Sequence, residues 1–470
     1  MGVRRGSRRA SEPQKGVAPQ STTIMFFGNF GTQNLGNECT LQAIIQNARR
    51  FLPGATVSCV CTDPLATSAA HGIPAFRISR RYGEGVTAGS GRRHRNPVSR
   101  LIRRLVVRLP REVGEWVTAF RTLKGTRMLV MTGTGMLGDF GIGPFDLHYE
   151  ILKWAILARV RGSKLLFVSV GAGPIAHPLS RWIVKAALSL ADYRSYRDEF
   201  SRRYLESIGF NSSQDRVCPD LAFSLATSEI LPSPDARRNG NGRVVGLGLM
   251  EYYGQRRSPE EGERIYQRYV ERVAGFAAWL LEHGYTVRLL VGDLSYDKRV
   301  KADVRTLLED KGWGRDTERI IDEPISSAEE LYAQLARTDM VVATRFHNVL
   351  LALMLNRPVI ALSYHEKMRS LMAGMGLAQY CQDAALLDVP GLIAQFTRLE
   401  RNAETLSASM KRKAEEYRAA LDEQYGRIFG DLVRADRLAA TADGGEVTPI
   451  GTQAGSTRRA RNGAGWSGGR

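Results

Sequence analysis

The sequence has no long apolar run and few cysteines. Although 43% of its 470 residues are hydrophobic, no continuous stretch reaches the roughly 18 residues that a membrane-spanning helix needs. The five cysteines are scattered and form no C-x-x-C pair, so we expect buried free thiols and no metal site. The basic N-terminal residues precede no apolar segment of the kind that a secretory signal has. These absences predict a cytoplasmic location.

Acidic residues are in the minority, and the excess positive charge is unevenly distributed. The formal net charge is +18, of which residues 77–112 supply +9 through eleven Arg against two Glu. Residues 1–20 add +4 and residues 440–470 add +2, so the rest of the chain is close to neutral. No aromatic residues are interleaved with the basic ones for base stacking, and no nucleic-acid motif is present. The pattern predicts basic tails and a basic insert, and no nucleic-acid partner.

The most regular part of this insert, residues 97–110, alternates Arg with Leu, Ile and Val. Folded as a helix, it would present basic and apolar side chains to an anionic membrane, where lipid-linked acceptors reside. One prediction is therefore peripheral membrane contact through residues 90–110. The alternative is a disordered, solvated surface insert.

Short β-branched strands alternate with helical patterns over most of the chain, which is typical of parallel sheets covered on both faces. A polar linker rich in Pro, Gly and Asn separates two such series at about residues 226–243. We therefore expect an α/β protein with two Rossmann-like domains that face a central cleft. Their predicted bounds are 21–227, including the basic insert, and 228–435, and the tails 1–20 and 436–470 are predicted to be disordered.

Glycine-rich loops follow the predicted strands of the first domain, at the sheet edge where open parallel sheets bind ligands. The first loop enters a helix through Gly36, Asn37 and Glu38. Its glycine and the helix N-terminus could bind an anion or a sugar hydroxyl, and the alternative is a plain turn with an Asn cap. The loops at 132–139 and 169–174 lack the G-x-G-x-x-G spacing, so a dinucleotide site is only weakly supported.

Arg197 and Asp198 close another predicted strand of the first domain. An arginine at this position faces the cleft, and the aspartate is placed either to hold it or to cap the next helix. An ordinary surface ion pair is the alternative.

The strongest candidate site lies in the second domain. Arg345 and His347 stand two residues apart in the loop after a buried strand, and alternate residues of an extended chain point the same way. Asn348 is predicted to cap a helix at 349–355, whose N-terminus carries positive potential. The next strand delivers Lys367 to the same cleft. Three cationic groups and a helix end predict a site for a small multivalent anion, and a structural histidine with a surface lysine is the alternative.

Taken in order, these pieces resemble the polysaccharide pyruvyl transferase family over residues 22–380. The matching segments are 36–38, with Asn37 where the family has Asp, 132–139, 169–174, Tyr196-Arg197-Asp198 with Ser201, Pro219-Asp220, 345–347 and 363–367. The resemblance implies a glycosyltransferase-B-like fold. It also implies transfer of pyruvate from phosphoenolpyruvate to two hydroxyls of a sugar in a polysaccharide or lipid-linked repeat unit, giving a cyclic ketal and phosphate.

The same resemblance implies roles for individual residues. Arg197 and Arg345 would hold the anionic donor, His347 would act as an acid, a base or a phosphate ligand, and Lys367 would bind phosphate or donate a proton. Asn37, Glu38, Asp198 and Asp220 would serve the acceptor or orient other groups. Phosphoenolpyruvate is the donor substrate, and neither a cofactor nor a metal is required. A nucleotide-sugar glycosyltransferase of the same fold and a non-catalytic component of polysaccharide assembly are the alternatives.

Overall fold

The structure, a computed structural model, describes residues 22–80, 109–138, 142–226, 243–254, 258–314 and 318–442. The predicted tail 1–20, nearly all of the predicted membrane-contact segment 90–110 and most of the predicted tail 436–470 lie outside these residues. Within the described part, the chain forms two parallel sheets flanked by helices, which is the predicted α/β architecture. None of the helices described is both long and apolar enough to cross a membrane.

Seven parallel strands form the first sheet of the described chain, in the spatial order β3-β2-β1-β4-β5-β6-β7. The strands are β1 (Thr23–Phe27), β2 (Thr56–Cys61), β3 (Ala75–Arg77), β4 (Thr126–Met131), β5 (Lys164–Val170), β6 (Tyr193–Tyr196) and β7 (Arg216–Val217). The helices around them are α1 (Leu35–Phe51), α2 (Pro64–His71), α3 (Leu109–Thr122), α4 (Leu147–Val160), α5 (Pro178–Ser189) and α6 (Glu199–Ser207). A short 3-10 helix at Leu221–Ser224 ends this part of the chain.

The second sheet has six parallel strands among the described residues, in the order β10-β9-β8-β11-β12-β13. They are β8 (Val244–Leu249), β9 (Thr286–Val291), β10 (Ile320–Ile321), β11 (Met340–Ala343), β12 (Val359–Ser363) and β13 (Cys381–Asp383). The helices are α7 (Pro259–Glu282), α8 (Lys298–Leu308), α9 (Ala328–Ala336), α10 (Phe346–Met354), α11 (Glu366–Gly374), α12 (Val389–Arg401) and α13 (Ala403–Ala442). The helix α13 continues past residue 435, where the sequence predicts the start of the tail.

Strand β1 shows why both faces of the first sheet are covered. Successive side chains of a strand point to opposite faces. Ile24 and Phe26 therefore pack into one apolar cluster, whereas Met25 and Phe27 pack into another. The first cluster continues without a break into the second domain, so the two sheets share a common apolar core on one side.

Two features join the domains next to the cleft. The loop before α1 pairs with the loop after β9 through backbone hydrogen bonds, from Leu35 N to Gly292 O at 3.1 Å and from Leu294 N to Gln33 O at 3.0 Å. Helix α13 returns to the first domain, where Gln424 hydrogen bonds to serines of β5 and β6. These contacts hold the C-terminal strand ends of the two sheets against each other.

Candidate active site

A cavity of about 370 Å³ lies between the C-terminal ends of the strands of both sheets. Its volume is in the range of small-molecule sites. We name it the central cavity. It is lined by Asn29, Asn34, Asn37, Thr134, Gly135, Met136, Gly138, Ile142, Leu147, Arg197, Met250, Gly292, Arg345, Phe346, His347, Asn348, Tyr364 and Lys367. Among these described residues there are three cations and no carboxylate, so the lining is suited to an anion.

The first turn of α10 forms one wall of the central cavity. Arg345 is the N-cap, with extended backbone angles, and its side chain makes no capping hydrogen bond. The helix therefore begins at Phe346, and the prediction that Asn348 caps it is wrong. Its open end brings backbone N–H groups and the positive end of the helix dipole to the cavity.

Arg345 is held by a buried carboxylate that the sequence patterns did not indicate. Its Nε and one terminal nitrogen donate to the two carboxylate oxygens of Asp297, at 2.8 Å and 2.5 Å. Asp297 is fully buried and also accepts backbone N–H groups of Glu251, Gly292 and Asp293. Burial disfavours the charged guanidinium, but Asp297 outweighs it and raises the pKa of Arg345. The arginine is thus a fixed, permanent cation.

Arg197 reaches the central cavity from the end of β6. Its guanidinium lies so close to Gly171 that a Cβ at position 171 would be 2.6 Å from Cζ, which explains the glycine in that loop. Asp198 and Asp220 each place a carboxylate oxygen 3.4 Å from the guanidinium. Burial raises the pKa of Asp220, although Arg197 opposes that effect. Both acids therefore lie beside Arg197 and not in the lining of the central cavity.

The His347 ring lies against the start of α1. A Cβ added to Gly36 would be 1.8 Å from Nδ1 of the ring, so only glycine leaves room for the imidazole. Burial, followed by the nearby Arg197, Lys367 and Arg345, lowers the pKa of His347 well below 6.5. In the free protein His347 is therefore a neutral imidazole surrounded by three cations. Its unprotonated ring nitrogen can accept a proton.

Lys367 is the third cation of the central cavity, and it lies beside two aromatic rings. Its Nζ is 5.3 Å from the centroid of the Phe346 ring and 5.2 Å from that of Tyr364, and the Arg197 guanidinium carbon is 5.0 Å from the Phe346 ring. Although burial alone would raise the pKa of Tyr364, Lys367 and Arg345 lower it. Tyr364 lies in a segment that matches the family, but it was not among the predicted site residues. Its position directly after β12, at the edge of the sheet where ligands bind, is the sequence feature that could have identified it as a lining residue.

The residues predicted for the acceptor side separate in space. Asn37 lines the central cavity, and its side chain donates to the Asn29 carbonyl at 3.0 Å. Glu38 does not line the cavity, because its oxygens bind Gly31 N and the His71 ring, each at 2.9 Å. Asp198 caps α6 by accepting from Ser201 N at 2.7 Å, as one of the alternatives predicted.

Asn348 is a further lining residue that the sequence did not identify as a ligand-binding group. It is fully buried, and its amide oxygen and nitrogen have no hydrogen-bond partner among the described residues. Gly248 and Gly292 leave the space for it, since a Cβ at either position would lie 2.8 Å from one of its amide atoms. A buried amide without partners costs free energy, so a ligand that binds it recovers that cost.

The possible metal ligands are the His, Cys, Asp and Glu side chains of the described residues. No group of three or more His, Cys, Asp or Glu side chains with metal-binding geometry occurs in the parts of the chain that the structure describes. Four of the five cysteines are buried free thiols and Cys381 is half-buried.

The two sheets and the cleft between them define a protein of the glycosyltransferase-B fold class. Sucrose-phosphate synthase from Thermosynechococcus elongatus superimposes with a TM-score of 0.52 at 14% identity, over 88% of this chain and 100% of that one. Anabaena HepE, solved with UDP and glucose, gives 0.52 at 14% identity over 87% and 99%. UDP-GlcNAc 2-epimerase from Neisseria meningitidis, bound to UDP-GlcNAc, gives 0.52 at 11% identity over 85% and 99%. These likenesses establish the fold.

Within that class, the chain belongs to the polysaccharide pyruvyl transferase family, whose model matches residues 34–366. The amylovoran biosynthesis protein AmsJ from Erwinia amylovora is 25% identical over 324 residues, which cover 67% of this chain and 73% of AmsJ. The resemblance read from the sequence is confirmed. Membership of this family makes the chain a transferase-family protein of polysaccharide biosynthesis.

Proposed function

We propose that the protein transfers pyruvate from phosphoenolpyruvate to two hydroxyls of one sugar, forming a cyclic ketal and releasing phosphate. The observation that carries the proposal is the lining of the central cavity, with Arg197, Arg345 and Lys367 but no carboxylate among the described residues. Phosphoenolpyruvate carries a phosphate and a carboxylate on three carbons, so several cations around one small cavity match its charge.

The proposed chemistry assigns steps to the lining groups. A proton added to C3 of the donor makes C2 electrophilic, and one sugar hydroxyl then forms a bond to C2. Phosphate departs with the electron pair of its C–O bond, and the second hydroxyl closes the ring at C2. The two hydroxyls release two protons, of which one balances the proton gained by C3 and the other leaves with phosphate.

His347 and Lys367 are the groups for these proton transfers. A neutral His347 is suited to take a proton from a sugar hydroxyl, and the negative donor would stabilise the imidazolium that results. Lys367 is a charged donor beside it, and it also binds phosphate. Arg197 and Arg345 are held by carboxylates in the free protein, so they can stabilise the departing phosphate without reorganising.

Transfer from a nucleotide sugar is the competing function on the same fold. Dinucleotide sites of related sheets use an acidic side chain for the ribose, and the described lining of the central cavity contains none. We also propose that the reaction takes place in the cytoplasm, with a glycan or a lipid-linked oligosaccharide as acceptor. Segment 90–110 would bring the protein to lipid-linked acceptors at the inner face of the membrane.

The test combines binding and turnover. Calorimetry should detect phosphoenolpyruvate binding to the purified protein, and a panel of glycans should elicit phosphate release. An Arg345→Ala, His347→Ala double variant should lose both signals. Neither binding nor release with a broad panel would refute the proposal, and tight UDP binding in its place would favour the competing function.

A further inference from the structure

A second cavity, of about 570 Å³, adjoins the central cavity. We name it the side cavity. It lies between α6, the loop before the 3-10 helix, α11 and α13, so it draws on both domains. Arg197, Phe346 and Lys367 line both cavities and therefore lie where the two meet.

The two cavities differ in chemistry. The central cavity has cations and no carboxylate among its described lining residues. In the side cavity the carboxylates of Asp198, Glu199 and Asp220 balance the charges of Arg203 and of the shared Arg197 and Lys367, which suits a neutral ligand. Tyr417 also lines the side cavity with a half-buried ring, which packs edge-on against the fully buried ring of Phe223, with centroids 5.0 Å apart and planes at 90°. Carboxylates accept hydrogen bonds from hydroxyl groups, and aromatic rings pack against the apolar C–H face of a sugar ring.

The carboxylates keep capacity for a ligand. Asp198 uses one oxygen to accept from Ser201 N, and its other oxygen lies 3.4 Å from Arg197. The Glu199 side chain is 41% exposed and is bonded to Arg202 along the helix. Since a carboxylate offers about four lone-pair sites, each group can accept further hydrogen bonds.

Glycine at position 374 shapes the side cavity where α11 meets α13. A Cβ there would lie 2.6 Å from the Tyr417 hydroxyl, so the glycine lets this ring approach α11 closely. Tyr417 comes from α13 and Gly374 from α11, which means that the return of α13 to the first domain builds this wall.

The geometry points to the side cavity as the binding site for the acceptor sugar, an uncharged hexose unit that presents two free hydroxyls to the donor where the two cavities meet, beside Arg197, Phe346 and Lys367. This inference rests on the proposed function. It divides the substrates by charge: the anionic donor occupies the cavity without carboxylates, and the neutral acceptor occupies the cavity with carboxylates and aromatic rings.

Two neighbouring alanines of α13 provide a matched pair of variants. Ala420 lines the side cavity, whereas Ala419 is exposed and does not line it. Ala420→Trp fills the side cavity, and Ala419→Trp adds the same side chain to the surface. Tyr417→Leu removes the aromatic ring and its hydroxyl as an independent change.

The full-length protein and the three variants are compared in the presence of phosphoenolpyruvate. Donor binding is measured by calorimetry. Sugar binding is measured by saturation-transfer NMR with the methyl glycosides of glucose, galactose and mannose as probes. We expect all four proteins to bind the donor with affinities within about threefold, which also shows that they are folded. We expect the sugar signal to disappear in Ala420→Trp and Tyr417→Leu and to persist in Ala419→Trp.

The outcomes separate the two levels of the proposal. If the unchanged protein binds no phosphoenolpyruvate, the proposed function fails and this inference fails with it. If the donor binds but no glycoside gives a signal, or if Ala420→Trp and Ala419→Trp bind sugars equally well, the proposed function survives and the side cavity is not the acceptor site.

Discussion

The ion pair between Arg345 and Asp297 stabilises the fold as well as the candidate site. Asp297→Ala leaves a mostly buried guanidinium without its partner and three backbone N–H groups without their acceptor. We expect the free energy of unfolding, measured by urea titration, to fall by about 3–5 kcal/mol. Glu416→Ala breaks a half-exposed pair with Lys413 on α13 and should cost less than about 1 kcal/mol. Similar losses in the two variants would contradict this reading.

At Asn348, we expect one substitution to raise stability and to lower ligand affinity. Because its buried amide has no partner among the described residues, Asn348→Leu removes an unsatisfied group of nearly the same size. The free energy of unfolding should rise by about 1–3 kcal/mol. Phosphoenolpyruvate affinity should fall, since the ligand loses a hydrogen-bonding group. A destabilised Asn348→Leu protein with unchanged donor affinity would show that the amide has no role in binding.

The two histidines near Lys367 predict a pH dependence. Burial and nearby cations lower the pKa of His347 well below 6.5 and that of His365 to about 4. The unfolded chain therefore binds more protons than the folded one below about pH 6.5, so stability decreases as the pH falls through that range. The His347 ring should not titrate near pH 6.5 by NMR in the free protein, and bound phosphoenolpyruvate should raise its pKa. An unshifted titration near 6.5 in the free protein would contradict the prediction.

At the scale of elements, the start of α1 packs against the start of α10, where Gly36 contacts the His347 ring. Gly36→Ala would place a methyl group 1.8 Å from Nδ1 of His347, so the ring or the helix must move. We expect phosphate release to fall by at least about tenfold, because displaced catalytic groups lose their alignment. Gly275→Ala is the control: its Cβ meets nothing within 4 Å inside α7, and it should add about 0.5–1 kcal/mol of stability. Full activity of Gly36→Ala would disprove the proposed role of His347.

Strands that are contiguous apolar runs in the sequence could be located from the sequence alone. In the sequence, the apolar runs at 164–170 and 340–343 predict strands, and the structure has β5 and β11 at these bounds. The start of α10 was wrong because Arg345 takes the extended cap conformation and the apolar Phe346 is buried as the first helical residue. Asp297 could not be found, since nothing in the sequence links it to an arginine 48 residues later. The space for Asn348 depends likewise on two glycines distant in sequence, Gly248 of β8 and Gly292 of the loop after β9.

At the scale of the whole molecule, the sequence predicted the arrangement of strand ends that brings Arg197, Arg345, His347 and Lys367 together around one cavity. That prediction works because parallel sheets place every carboxyl end at the same edge. The side cavity could not be predicted from the sequence, because it depends on how α6, α11 and α13 pack across the two domains. The exclusion of Glu38 from the cavity lining, through its contact with His71, is also a tertiary effect.

The charge distribution makes a prediction for the whole chain. Removing residues 90–108 takes away much of the basic insert and leaves α3 intact from Leu109. Co-sedimentation with vesicles rich in anionic phospholipid should decrease, and the remaining binding should weaken with salt. Neutral vesicles serve as the control. Co-sedimentation that is unchanged by the deletion would refute membrane contact through this segment.

The path of α13 has a consequence for how the molecule can be divided. The described chain begins in the first sheet with β1, passes through the second sheet from β8 to β13, and comes back to the first domain at Gln424. Topologically, the second domain is an insertion with two junctions to the first. Exchanging it between relatives therefore requires both the segment before Val244 and the segment that leads into α13 to be joined in register. A chimera cut at one junction would lose the packing of α13 against β5 and β6.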